Sequence, residues 1–139
     1  MGFSVLPIIP KTVELHFPND HLRDLTVTAR NSVKLDYLEF TSPLLEETQD
    51  FFAQAFGWEY IDYGSDYRDI QNAGLGGGIE RGPPRAPLPV LVTDDLEGML
   101  DTVKKAGGEI TVGIFEFPGG RRFQFREPGG SEMAVWSKV

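Results

Sequence analysis

"VTDDLEGMLDTVKKAGGEI", residues 92–110, reads as the end of a strand, a capped helix and the start of another strand. Asp94 with Glu97 makes an approximate capping box, Leu96, Met99, Leu100 and Val103 recur at helical spacing, and Gly107 and Gly108 close the helix. Residues 40–61, "FTSPLLEETQDFFAQAFGWEYI", have the same grammar. A shift of 51 positions pairs Leu45 with Leu96, Glu46 with Glu97, Phe52 with Val103, Ala55 with Ala106 and Gly57 with Gly108. The chain therefore reads as two modules of one plan.

Working outward, "LDYLEFT" (35–41) alternates as a strand, with Leu38 and Phe40 on one face and Tyr37 and Glu39 on the other. Ser42 is expected to cap the first helix and Pro43 to open it; Leu45, Thr48, Phe52, Ala55 and Phe56 form its apolar stripe, and Gly57 stops it. "WEYIDYG" and "YRDIQN" read as a hairpin pair, "GLGGGIERG" as a glycine-weakened strand, and "PPRAPLP" as the linker between modules at about 34–82 and 88–137. After the second helix come three strands, "EITVGIFEF", "RRFQFRE" and "SEMAVWS", separated by "PGG" turns. Each half is thus β-α-β-β-β. Neither half buries both its helix and its sheet alone, so the expected fold is α+β: paired modules in a curved, cup-like, eight-stranded mixed sheet with the helices outside.

The composition narrows the function. Thirteen basic against 21 acidic residues give a net charge of −8 with no basic block, which argues against nucleic acid and anionic membranes as partners. No cysteine is available for a disulfide, a thiolate metal site or a thiol nucleophile. No apolar run approaches a membrane span, and "MGFSVLPIIPK" lacks the pattern of a signal peptide, so a cytoplasmic protein is expected. "GLGGGIERG" lacks the lysine and the serine or threonine of a phosphate loop.

Residues 1–32 sit outside the repeat. "TVELHF" and "LTVTA" around "PNDHLRD" suggest a hairpin extension; a disordered arm and a mis-assigned start, with the true one near Val33, are the alternatives. His16 and His21 lie in this arm, five apart, and read as surface histidines rather than a metal site.

"LEF…FFAQAFGW", "VTDDLEGMLDTVKKAGGE" and "FREPGGSEMAVW" together resemble the vicinal oxygen chelate superfamily, which includes glyoxalase I, bleomycin and fosfomycin resistance proteins and extradiol dioxygenases. The resemblance covers about residues 34–137. It implies a cup holding a divalent metal through one ligand on the first strand and one on the last strand of each module, usually histidine or glutamate. The corresponding positions here are Tyr37, Glu80, Leu88 and Ala134. Leucine and alanine offer no lone pair, so the usual metal is expected to be lost and no cofactor is expected.

The candidate ligand-binding residues are Tyr37, Glu39, Glu80, Leu88, Val90, Ala134 and Trp136, with Glu39 and Tyr37 as the candidate acid-base pair. Tyr37 filling the vacated metal space and Glu39 pairing with Arg122 or Arg126 is the structural alternative. Arg122, Gln124 and Arg126 share one strand face and Phe123 and Phe125 the other. A four-residue turn at 127–130 sets Phe123 opposite Ala134 and turns the arginines outward; one slip of register reverses this. Three functions follow: a metal-free cup binding a small, partly aromatic molecule; a metal-independent enzyme using Glu39 and Tyr37; or a metal-dependent lyase or dioxygenase whose ligands lie elsewhere. A homodimer is expected in each case.

Overall fold

The structure, a computed structural model, describes residues 33–139. The readings of residues 1–32, His16 and His21 included, lie outside the described residues. The strands are β1 (Lys34–Ser42), β2 (Glu59–Asp62), β3 (Tyr67–Gln71), β4 (Gly76–Arg81), β5 (Arg85–Val92), β6 (Glu109–Phe117), β7 (Gly120–Arg126) and β8 (Glu132–Ser137); the helices are α1 (Leu45–Phe56) and α2 (Leu96–Lys105). The strands form one open mixed sheet in the order β2-β3-β4-β1-β5-β8-β7-β6. Read outward from the centre, each half runs first, fourth, third, second strand of its module. β1 pairs in parallel with β4, β5 in parallel with β8, and the two first strands meet antiparallel at the middle. The duplicated plan is therefore the architecture.

Each helix covers one half of a single sheet face. Under α1, Leu45, Ile70 and Ile79 are buried, flanked by Phe40, Phe52 and Trp58. Under α2 the buried set is Leu96, Met99, Phe123, Phe125 and Val135. Arg68, also on this face, ties α1 to the sheet by donating from Nε to Gln49 Oε1 at 2.8 Å. Burying these side chains is worth roughly 1.5–3 kcal/mol each, so the helix-facing layer holds the fold and leaves the other face free for a site.

Several local expectations shift by a residue or two. Helix α1 begins at Leu45 with Leu44 at its N-cap, not at Pro43; Ser42 Oγ still accepts from the Leu44 N–H at 3.0 Å and from Thr48 Oγ1 at 2.8 Å. Asp95, not Asp94, caps α2, accepting from the Gly98 N–H at 3.0 Å, because the helix starts one residue later. Gly57 ends α1 in the left-handed region at φ 75°, as expected. Ala55 and Phe56, assigned to the α1 stripe, are exposed.

Strand β5 starts at Arg85, inside the stretch read as a linker, so the second module begins before residue 88. Pro87 and Pro89 are tolerated there because β5 pairs with β1 alone over that stretch and joins β8 only from Val90.

Candidate functional site

Alternation along the strands puts Tyr37 and Glu39 of β1, Leu88 and Val90 of β5, and Ala134 and Trp136 of β8 on the face away from the helices. The turn before β8 decides what joins them. Arg126 stands opposite Glu132, so the turn holds residues 127–131 rather than four. Glu127 makes the difference: its carboxylate accepts from the N–H groups of Gly129 and Ser131, and its own N–H donates to Ser131 O, drawing Ser131 into the turn. Gln124 thus lies opposite Ala134, and Phe123 opposite Val135. The expectation of an inner aromatic wall is overturned: Phe123 and Phe125 pack under α2, while Arg122 and Gln124 face the cup. Arg126, at the end of the same row, is exposed and pairs with Glu109 at 3.2 Å.

Leu88, Val90 and Ala134 form a small buried cluster against which Tyr37 and Trp136 pack. Trp136 Nε1 donates to Asp36 Oδ2 at 3.0 Å. Beside the cluster runs a polar chain. Tyr37 Oη donates to Asp69 Oδ1 at 3.2 Å, the Tyr67 hydroxyl lies 2.5 Å from that of Tyr37, and Glu39 Oε2 is 3.5 Å from Tyr67 Oη.

Gly78 makes this possible, since a Cβ there would overlap both hydroxyls. The glycine run of β4 thus makes a hollow for two tyrosines. Tyr67 and Asp69 were missed in the sequence. Their signal was the alternation of Tyr67, Asp69 and Gln71 on β3, with Asp69 opposite Gly78 on β4.

Glu39 is 5% exposed. Arg122 grips it with Nη2 at 3.2 Å from Oε1 and Nη1 at 3.4 Å from Oε2, and Arg85 Nη2 reaches Oε1 at 3.3 Å. Arg122 also donates to Gln124 Oε1 at 2.9 Å and lies over the Phe115 ring at 5.5 Å. Above this group opens a cleft of about 450 Å³ lined by Thr41, Glu80, Arg85, Phe115, Arg122 and Gln124, among others. Of the predicted residues, Glu80 lines it; Tyr37, Glu39, Leu88, Val90, Ala134 and Trp136 lie together in the adjoining wall.

Burial raises both phenols above their ordinary value: Tyr37 further through its bond to Tyr67, and Tyr67 through the charge of Glu39. The unfolded chain ionises these phenols near 10 while the folded chain keeps them neutral. The stability they contribute is complete below about pH 10 and falls as pH rises above it, by about 1.4 kcal/mol per phenol per unit. Urea unfolding at about pH 9 and about pH 11 is expected to show a smaller loss for Tyr37→Phe than for the wild type; equal losses would overturn the assignment.

The positions implied for a divalent metal do not fit one. Leu88 and Ala134 are apolar and buried at 2% and 0% exposure. Level with Tyr37 on β4 stands Gly76; Glu80 is opposite Thr41 and 3.9 Å from Arg85. The one buried carboxylate among the described residues, Glu39, is held by two guanidiniums that repel a cation. Among the described residues no three His, Cys, Asp or Glu side chains gather as ligands.

The chain belongs to the Glyoxalase/Bleomycin resistance protein/Dioxygenase superfamily, whose family model matches residues 34–135. Solved structures share the fold. A Mn(II)-bound glyoxalase from Novosphingobium aromaticivorans is 17% identical, with a TM-score of 0.56 over 78% of this chain and 39% of that one. Methylmalonyl-CoA epimerase from Mycobacterium tuberculosis is 14% identical, with a TM-score of 0.59 over 80% and 92%. An extradiol ring-cleaving dioxygenase from B. fuscum is 11% identical, with a TM-score of 0.61 over 77% and 33%. This chain therefore corresponds to well under half of the glyoxalase and of the dioxygenase, and at these identities the likeness is one of fold. No curated protein matches the chain. None of the helices among the described residues is long and apolar enough to cross a membrane.

Proposed function

We propose that the protein binds a small, partly aromatic molecule in its cup without the divalent metal of its superfamily. The observation that carries this reading is the cleft beside the metal positions, where Phe115 offers an apolar wall and Arg85, Arg122 and Gln124 offer donors. A thermal-shift screen of small aromatic compounds tests it. A ligand at a hundred times its dissociation constant adds about 2.7 kcal/mol, and Phe115→Ala is expected to reduce that gain. Compounds that stabilise both forms equally would place the site elsewhere.

Metal content is the second test. Purified protein is expected to hold no stoichiometric zinc, nickel, manganese or iron, and chelator to leave its melting temperature unchanged. One metal per chain after dialysis, lost together with stability on chelation, would move the metal-dependent lyase or dioxygenase reading to first place.

The metal-independent enzyme reading keeps one supporting observation, the burial of Glu39 beside Tyr67. Against it, both carboxylate oxygens already accept from guanidiniums, so neither is turned toward a substrate proton. A binding role therefore suits the geometry better.

The working unit in this reading is a homodimer. Leu44, Phe51 and Phe56 on and beside α1, and Ile61 and Val112 on the two edge strands, are exposed apolar groups that a second copy would cover. Light scattering is expected to give twice the chain mass; monomer alone at high concentration would count against it.

A further inference from the structure

The arginines of the cleft are unevenly paired. Arg85 and Arg122 share the buried carboxylate of Glu39, and Arg122 makes two of its three guanidinium contacts. Arg81, also at the rim, is occupied by Glu46 at 2.7 Å and Asp66 at 3.4 Å. The nearest further anion is Glu80, whose side chain is 48% exposed and 3.9 Å from Arg85, too long for a direct hydrogen bond. Arg122 Nε is buried without an acceptor among the described residues, a state that costs more than a satisfied donor. Arg85 is a third exposed and opens onto the cleft.

From this loosely paired Arg85, and resting on the binding reading above, we infer that the cleft recognises a small aromatic carboxylate. The ligand's carboxylate takes the place that Glu80 half fills, accepting from Arg85 and drawing on the field of Arg122. Its ring lies toward Phe115, Pro83 and Pro84. A planar carboxylate suits a guanidinium fork because two parallel N–H groups meet two oxygens. Phe115 is already in contact with the Arg122 guanidinium, so ring, cation and anion form one continuous surface. Thr41 Oγ1 accepts from Arg85 Nε at 2.9 Å and fixes that side chain against β1, so the donor is held in place before a ligand arrives.

Glu80 supplies a distinguishing test. In an apolar pocket its charge would be indifferent to the ligand, whereas here it competes with the ligand's carboxylate for Arg85. Benzoate and its neutral counterpart benzamide are the probes, followed by calorimetry and by NMR of the arginine Nε–H signals in the whole chain. Benzoate is expected to bind and to shift the Arg85 and Arg122 signals, with benzamide at least about tenfold weaker. Arg85→Gln is expected to weaken benzoate about tenfold or more while leaving benzamide unchanged. Glu80→Gln is expected to tighten benzoate about two- to fivefold, the size of a half-exposed charge interaction. Both substitutions are at the rim, and circular dichroism checks that each variant folds.

Equal affinity for benzoate and benzamide would overturn the carboxylate inference and leave the binding reading standing. Absence of any cleft response to either probe, or to neutral aromatic compounds, would overturn both. Benzoate binding that neither Arg85→Gln nor Glu80→Gln alters would place the anion elsewhere and overturn the inference alone.

Discussion

Gly78→Ala is expected to destabilise the protein by about 2–3 kcal/mol, the sum of overpacking and a broken hydroxyl pair. The added methyl would overlap both the Tyr37 and Tyr67 hydroxyls, and the Tyr67 ring carbon that bears its oxygen is also within the overlap. Neither ring moves freely. Tyr37 packs on Leu88, Val90 and Ala134, and its hydroxyl is held by Asp69. Gly113→Ala on edge strand β6 is the control, since a Cβ there meets nothing within 4 Å and its backbone is not in the left-handed region. Urea unfolding of the two variants side by side separates a steric cost from the general effect of removing a glycine. If Gly78→Ala proves as mild as Gly113→Ala, the two tyrosines are not lodged over β4 as described.

That hollow marks how far the sequence alone reaches. Periodicity and the 51-residue repeat were enough for two β-α-β-β-β modules, because helix stripes, glycine stops and strand alternation are local signals. The parity of Tyr37 and Glu39 on β1 was legible for the same reason. Parity on β7 was not, since it depends on whether the turn holds four residues or five, and that is settled by Glu127 side-chain bonds to Gly129 and Ser131. One residue in a turn moved Arg122 and Gln124 into the site and both phenylalanines out of it.

Long-range pairings were further out of reach. Tyr67 lies 30 residues from Tyr37, and Arg122 lies 83 from Glu39. Nothing in the spacing of a chain announces such contacts until the strand order is known. The linker was misread for a different reason: prolines are poor strand residues where a neighbouring strand needs their N–H, and β5 has only one neighbour over Pro87 and Pro89. The metal positions were read from the resemblance. Leu88 and Ala134 do lie on the cup side of β5 and β8, the two strands of the second module nearest the middle of the sheet, and Glu80 lies at the level of Thr41, farther along β1.

Glu39→Ala is expected to cost about 2–4 kcal/mol, because it removes one partner of a mostly buried ion pair. As a ligand contact at the cup wall, one of the roles its sequence position suggests, Glu39 would cost little to remove. The geometry revises that expectation. Glu39 accepts from three guanidinium nitrogens, and the Arg122 side chain is only 16% exposed. Without the carboxylate, Arg122 keeps Gln124 and the Phe115 face, while a guanidinium largely out of water loses its counter-charge. Arg85 loses less, since a third of its side chain is in solvent and Thr41 still holds its Nε. The cost should therefore couple to Arg122 and only weakly to Arg85. Unfolding free energies for Glu39→Ala, Arg122→Ala and the double variant form the cycle that measures this, with a coupling of about 2 kcal/mol or more expected for Arg122 and under about 1 kcal/mol in the matching cycle with Arg85→Ala. A larger coupling to Arg85 would mean that the solvent-facing arginine, not the buried one, is the partner that Glu39 serves.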